Sequence, residues 1–280
     1  MATYDVHQHL WPETLIEALR ARQERPRLRG TTIELPSGDW EADLDAQTLE
    51  ARLALLDRHE IDVAVISMPP TMELDEELTE AYHEGILEVV AASDGRLVAL
   101  ACDAVRDGFA GTSVAAWDID GLTALEPLLD ELDRRGSLLF VHPGPASVPA
   151  SAPGWWPAVV DYSTQMQAAY AAWIALYADR WPNLPVVFAI LAGGAPIQLE
   201  RLASRGVESR SVMRPNVYLE TASYGERALE LALASYGVEQ LVFGSDAPVI
   251  DPGPTLRSVR SFGQAVADVV CGENMARLLQ

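Results

Sequence analysis

Histidine is scarce in this chain, with five among 280 residues, and four positions invite a chemical reading. Two of the histidines form His7-Gln8-His9, at the end of a short segment that reads as a strand. Residues two apart on a strand project to the same side, so both imidazoles can converge on one point. Taken alone, such a pair fits a surface accident as well as a pair of metal ligands. His142 closes the apolar run Leu138-Leu139-Phe140-Val141-His142, where a ring on an interior strand needs a hydrogen-bond partner or a metal. Asp246 closes Leu241-Val242-Phe243-Gly244-Ser245-Asp246 in the same way, although an aspartate there also suits a turn or a helix N-cap. Three histidines and one carboxylate make an N₃O set suited to one divalent ion, Zn²⁺ or alternatively Mn²⁺, with positions left for water and substrate. His59, in Asp57-Arg58-His59-Glu60, reads as a cation at a helix C-terminus, and His83 reads as part of a solvated helix face.

The elements that must position these groups alternate. Strands are expected at Thr3–His7, Asp62–Ser67, Arg96–Ala101, weakly near Ile119–Leu122, then Ser137–His142, Pro185–Leu191, Asn216–Glu220 and Gln240–Asp246. Helical periods fall between most of them, at Leu49–His59, Leu74–Ala92, Leu125–Arg135, Thr164–Arg180, Ile197–Arg205, Gly225–Tyr236 and Thr255–Ala267. The stretch Val105–Trp117 has no clear period. Eight strands alternating with helices predict a (β/α)₈ TIM barrel, formed by residues 1–280 as one domain with insertions near 25–45 and 143–158. An open doubly wound sheet is the alternative, but its glycine-rich first turn is missing after the first strand. In a barrel, His7, His9, His142 and Asp246 all fall at strand C-termini, on the face where active sites are built.

Composition removes several chemistries. All 20 basic residues are arginine, so no Schiff-base lysine, P-loop lysine or carbamylated lysine bridging two metals can exist. The 41 acidic residues leave a net charge of −21, which repels nucleic acid and anionic membranes. Cys102 and Cys271 are too few and too far apart for a disulfide scaffold or a thiolate zinc site. With no signal-peptide pattern and no 18-residue apolar run, a cytoplasmic location is the expectation.

Several segments together resemble the amidohydrolase-related branch of the amidohydrolase superfamily, which holds aminocarboxymuconate-semialdehyde decarboxylase-like enzymes and lactonases. They are Asp5-Val6-His7-Gln8-His9, Leu56-Asp57-Arg58-His59-Glu60-Ile61-Asp62 and Phe140-Val141-His142-Pro143. Ala192-Gly193-Gly194-Ala195-Pro196 with Arg201, Phe243-Gly244-Ser245-Asp246-Ala247-Pro248 and Glu273-Asn274-Met275-Ala276-Arg277-Leu278-Leu279 complete the set. The resemblance implies one metal held by His7, His9, His142 and Asp246, usually zinc, and it is compatible with a homodimer. It also marks a departure, because Leu191 stands where most members carry a histidine that moves a proton.

Three readings stay open. In the first, the protein is a hydrolase of a small cyclic, lactone- or amide-like substrate, in which Asp246 takes the proton of a metal-activated water. In the second, it is a non-oxidative decarboxylase of an aromatic or unsaturated carboxylic acid. In the third, the loss of the histidine at Leu191 marks a non-hydrolytic catalyst or a binding protein. Trp11, Trp155 and Trp156, together with Leu191, are the expected substrate-binding residues, because paired aromatics near a barrel mouth suit a flat ring. Arg201 and Arg52 could meet a substrate carboxylate, but structural helix salt bridges explain either better.

Overall fold

The structure, a computed structural model, describes residues 1–117, 121 and 123–279. Its strands are β1 (Tyr4–Gln8), β2 (Arg27–Arg29), β3 (Thr32–Leu35), β4 (Gly38–Glu41), β5 (Val63–Ile66), β6 (Leu97–Cys102), β7 (Gly111–Ala115), β8 (Leu138–His142), β9 (Val186–Phe188), β10 (Val217–Glu220) and β11 (Leu241–Val242). Eight of them form one parallel sheet in the order β1-β5-β6-β7-β8-β9-β10-β11. The last strand meets the first: Val6 N donates to Phe243 O at 2.9 Å, Asp246 N to His7 O at 2.8 Å and His9 N to Ala247 O at 2.7 Å. These bonds close the (β/α)₈ barrel and bring the two ends of the chain into one seam. β2, β3 and β4 form a separate antiparallel sheet within the 25–45 segment.

The apolar character of the strands is what drives this arrangement. Every residue of β8 is buried, and so is every residue of β9 and β10, as expected for strands covered on both faces. Helices are stopped and started by local chemistry. The Thr48 side chain accepts from Ala51 N to open the helix Leu49–His59, and Asp75 caps Glu76–Ala92 in the same way.

Four expectations shift. The fourth barrel strand is Gly111–Ala115, inside the stretch that showed no period; a glycine, two hydroxyl residues and two apolar ones carry little strand signal. The weak strand expected near Ile119–Leu122 includes residues 119, 120 and 122, which lie outside the described residues. The helix expected over Thr255–Ala267 is divided into Pro252–Arg260 and Gln264–Asp268 by Gly263 at φ 99°. The strand expected to reach Leu191 stops at Phe188, and residues Ile190 to Gly194 turn left-handed, with φ of 48°, 50°, 50°, 66° and 98°.

That left-handed turn costs about 1–2 kcal/mol for each of its three non-glycine residues. Its bonds offset the strain: Ile190 N donates to Glu220 Oε2 at 3.0 Å, and Gln167 Nε2 donates to Gly193 O at 2.6 Å. A Cβ placed on Gly193 would lie 2.2 Å from Ser163 O, so glycine is required there for space as well as for its dihedral angle. Gly193→Ala is expected to cost about 2–4 kcal/mol in urea unfolding. A change below about 0.5 kcal/mol would mean that the turn relaxes freely.

Candidate metal centre

His7 projects from β1, and His9 follows immediately after that strand ends. His142 is the last residue of β8, and Asp246 follows β11 in a left-handed conformation at φ 67°, one that aspartate tolerates. The closing seam of the barrel therefore delivers three of the four groups, and β8 supplies the fourth across the mouth. One ligand atom from each of the four lies within 4.8 Å of every other. His7 Nε2 and His9 Nε2 are 3.1 Å apart, and Asp246 Oδ1 is 3.1 Å from His9 Nε2 and 3.6 Å from His7 Nε2. The imidazoles are buried, whereas the Asp246 side chain keeps 22% exposure and faces the opening.

The partners on the far side of each ring decide what these nitrogens can do. His9 Nδ1 donates to Ser67 O at 2.9 Å and His142 Nδ1 to Pro143 O at 2.8 Å. A carbonyl only accepts, so both Nδ1 atoms carry a proton, and in the neutral ring each Nε2 is left with a lone pair. His7 Nδ1 donates to Glu220 Oε2 at 3.1 Å, which turns its Nε2 lone pair inward as well. With all three rings neutral, three lone pairs and a carboxylate are aimed at one point and repel one another. A divalent cation at that point would satisfy all four, and this is the donor set such an ion takes.

The electrostatics differ from ring to ring. Burial, reinforced by the charges of His7 and His9, holds the His142 pKa well below its ordinary value and keeps the ring neutral. Burial pulls His7 the same way, but the charge and hydrogen bond of Glu220 outweigh it and raise its pKa. Burial raises the Asp246 carboxyl, and the neighbouring imidazoles, His9 foremost, reverse this and hold it below its ordinary value.

A second layer holds the β1 end in place. Asp5 is fully buried and accepts from His7 N at 3.1 Å, Gln8 Nε2 at 2.7 Å, Ser245 N at 3.0 Å and Ser245 Oγ at 2.6 Å. Burial pushes its carboxyl up to about 6, against the pull of those hydrogen bonds. Arg52, also buried, donates to Gln8 Oε1 and to His9 O, both at 2.6 Å. Arg52 therefore carries the backbone of His9 and is no helix-surface cation, while Arg201 is exposed on its helix.

The expected substrate-binding residues scatter. Trp11 is buried and packs against Trp40 of the inserted sheet, with ring centroids 5.6 Å apart. Trp155 is exposed and pairs with Trp156 at 6.0 Å. Leu191 is buried in the left-handed turn, next to the amide of Ile190 that shares Glu220 with His7. His59 ends its helix as expected, 3.5 Å from Asp251. His83 is buried and not solvated: its Nε2 accepts from Cys102 N at 2.9 Å, and its ring meets Phe109. Glu220, Asp5, Ser245 and Gln8 were not legible as site residues, although Glu220 and Ser245 lie at strand ends beside the expected face.

A family model described as amidohydrolase matches residues 4–280. The chain belongs to the amidohydrolase family. It is accordingly an enzyme, of the metal-dependent hydrolase or carboxy-lyase kind. It is similar to the 2-amino-3-carboxymuconate-6-semialdehyde decarboxylase of Dictyostelium discoideum, with 22% identity over 88% of this chain and 78% of that protein. Two solved structures share its fold across almost all of both chains. The IDCase of Metarhizium anisopliae, in apo form, matches with a TM-score of 0.81 and 19% identity, over 99% of this chain and 97% of that one. A dihydroxybenzoic acid decarboxylase from a Polaromonas species, with bound manganese and the inhibitor 2-nitroresorcinol, matches with a TM-score of 0.72 and 15% identity, over 99% and 96%. Among the described residues, no helix is long and apolar enough to cross a membrane.

The Glu220 contact generates a test. Glu220→Gln is expected to weaken Zn²⁺ binding about 10- to 100-fold in a chelator competition, with the fold intact by circular dichroism. Unchanged affinity would show that His7 is held without this carboxylate.

Proposed function

We propose that this chain is a metal-dependent, non-oxidative decarboxylase of a small aromatic or unsaturated carboxylic acid. The observation that carries the reading is the four-donor cluster itself, three buried imidazoles with Asp246 as its most open member at one end of the barrel. The decarboxylases among its relatives support the same choice, and manganese in one of them makes Mn²⁺ as suitable as Zn²⁺.

His7, His9, His142 and Asp246 would hold the ion, which when bound supplies a Lewis acid for the oxygens of an anionic substrate. The protein supplies the rest. The buried imidazoles and the buried Leu191 keep water from the floor of the site, and a substrate carboxylate there is poorly solvated. When the carbon–carboxylate bond breaks, CO₂ departs and the electron pair stays on the substrate carbon. That carbon then takes one proton, drawn from solvent at the exposed edge of Asp246. Glu220 keeps the His7 proton on Nδ1 throughout, and the bonds from Arg52 prevent the His9 backbone from shifting.

The test uses full-length protein loaded with Mn²⁺ or Zn²⁺ and a panel of hydroxybenzoic acids in deuterated water. CO₂ release is expected, with one deuterium on the carbon that lost the carboxylate. Asp246→Asn is expected to reduce the rate by about 10²-fold or more. Hydrolysis of lactones or amides, with no CO₂ from any acid, would contradict the proposal and restore the hydrolase reading.

A further inference from the structure

From Pro143 to Ala178 the chain carries one charged residue, Asp161, although 22% of all its residues are charged. Asp161 is engaged locally, accepting from Gln165 Nε2 at 2.8 Å and from Ser147 N at 3.2 Å. The second half of this stretch is one continuous helical run: a wide turn at Pro157–Asp161, the helix Tyr162–Ala172 and a second wide turn at Trp173–Tyr177. Its inner side is occupied. Met166, Tyr170 and Trp173 are buried in the core, while Gln165 Oε1 accepts from Gly144 N at 2.7 Å and Gln167 Nε2 donates to Gly193 O at 2.6 Å. These contacts fix the helix against the barrel.

The outer side is bare. Val160, Thr164, Ala168, Ala171 and Ala175 are all exposed and recur every three or four residues, so they share one face. Thr164 Oγ1 donates to Val160 O at 2.7 Å, which leaves the hydroxyl proton engaged within the helix. Large apolar side chains stand at the two ends: Trp155, 57% exposed, precedes the face, and Leu176, 54% exposed, closes it. The helix Glu76–Ala92 is the contrast, since it shows solvent Glu76, Glu77, Glu84 and Glu88. An apolar strip of this length on an otherwise acidic surface marks a contact with another molecule.

Charge selects the occupant. At a net charge of −21, two copies of the chain repel each other, and they meet without like charges only across a face that carries none. A cationic partner is drawn to the glutamate faces instead, and finds nothing here to hold it. The face is also self-complementary. With two copies antiparallel about a two-fold axis, the Val160 end of one helix meets the Leu176 end of the other, and the small alanines between them let the helices approach closely. Ala168 then lies midway, facing its own counterpart at the axis. We infer that this face joins two copies of the chain, with the 157–177 helices antiparallel across a two-fold axis. The inference stands apart from the reaction proposed above.

The experiment is sedimentation velocity over a concentration series, on full-length wild type and on Ala168→Glu, with circular dichroism beside it. Wild type is expected at twice the mass of one chain. Ala168→Glu sets two like charges face to face and is expected to weaken self-association at least about 100-fold, with the circular dichroism spectrum unchanged. Ala168→Arg is expected to do the same alone, and an equal mixture of the two variants to recover the paired species. A substitution that merely damaged the helix would show no such recovery. Wild type that sediments as one chain at every concentration overturns the inference, and so does a pair that Ala168→Glu leaves intact. Wild type that stays a single chain and floats with phosphatidylcholine vesicles would assign the face to lipid and overturns it as well.

Discussion

Everything at the mouth of this barrel depends on three outward hydrogen bonds. Each ligand histidine donates its Nδ1 proton to a fixed acceptor: Glu220 for His7, the Ser67 carbonyl for His9 and the Pro143 carbonyl for His142. Those bonds choose the tautomer, and the tautomer turns three lone pairs toward one point beside Asp246. Two of the acceptors are backbone groups at or just beyond strand ends, so the geometry of the barrel itself sets the chemistry of the rings. The third is the buried carboxylate of Glu220.

The seam between β11 and β1 is the structural counterpart of that constraint. It joins residue 5 to residue 245 through Asp5 and Ser245, and residue 7 to residue 246 through the backbone. Arg52 reaches in from a neighbouring helix to hold His9 from behind. A buried network of this kind is stabilising only when each member is satisfied, and Asp5 meets that condition with four donors. Gly244 belongs to the same logic, since a Cβ there would come within 2.3 Å of Glu220 Oε1. Barrel closure and ligand placement are thus one event.

Much of this is legible in the residues alone. Histidine is rare enough here that a pair two apart, and a third closing an apolar run, stand out from the background. The strand-end position of Asp246 follows from the same pattern. The outer partners are less visible for a physical reason: Asp5, Gln8 and Arg52 act through contacts between segments far apart in sequence, and their residue types fit a surface equally well. β7 carries little signal in the sequence because Gly111, Ser113 and Ala115 are weak strand formers and leave only Thr112 and Val114 to favour a strand. The start of the left-handed turn is masked in the sequence, since Ile190 and Leu191 continue an apolar run and only tertiary bonds reverse their backbone. His83 reads as a surface residue among glutamates, yet it is buried against β6 by the packing of its helix. Leu191, in contrast, is conspicuous in the sequence by what it lacks, and the structure adds where it sits.

The central claim is that three imidazoles and Asp246 hold a single divalent ion. Metal analysis of untagged protein by inductively coupled plasma mass spectrometry, joined to X-ray absorption at the metal edge, addresses it directly. The account predicts about one equivalent of zinc or manganese with imidazole scattering in its coordination shell, lost when His142 is replaced by alanine. Folded protein that carries no metal and takes up neither Zn²⁺ nor Mn²⁺ would contradict it.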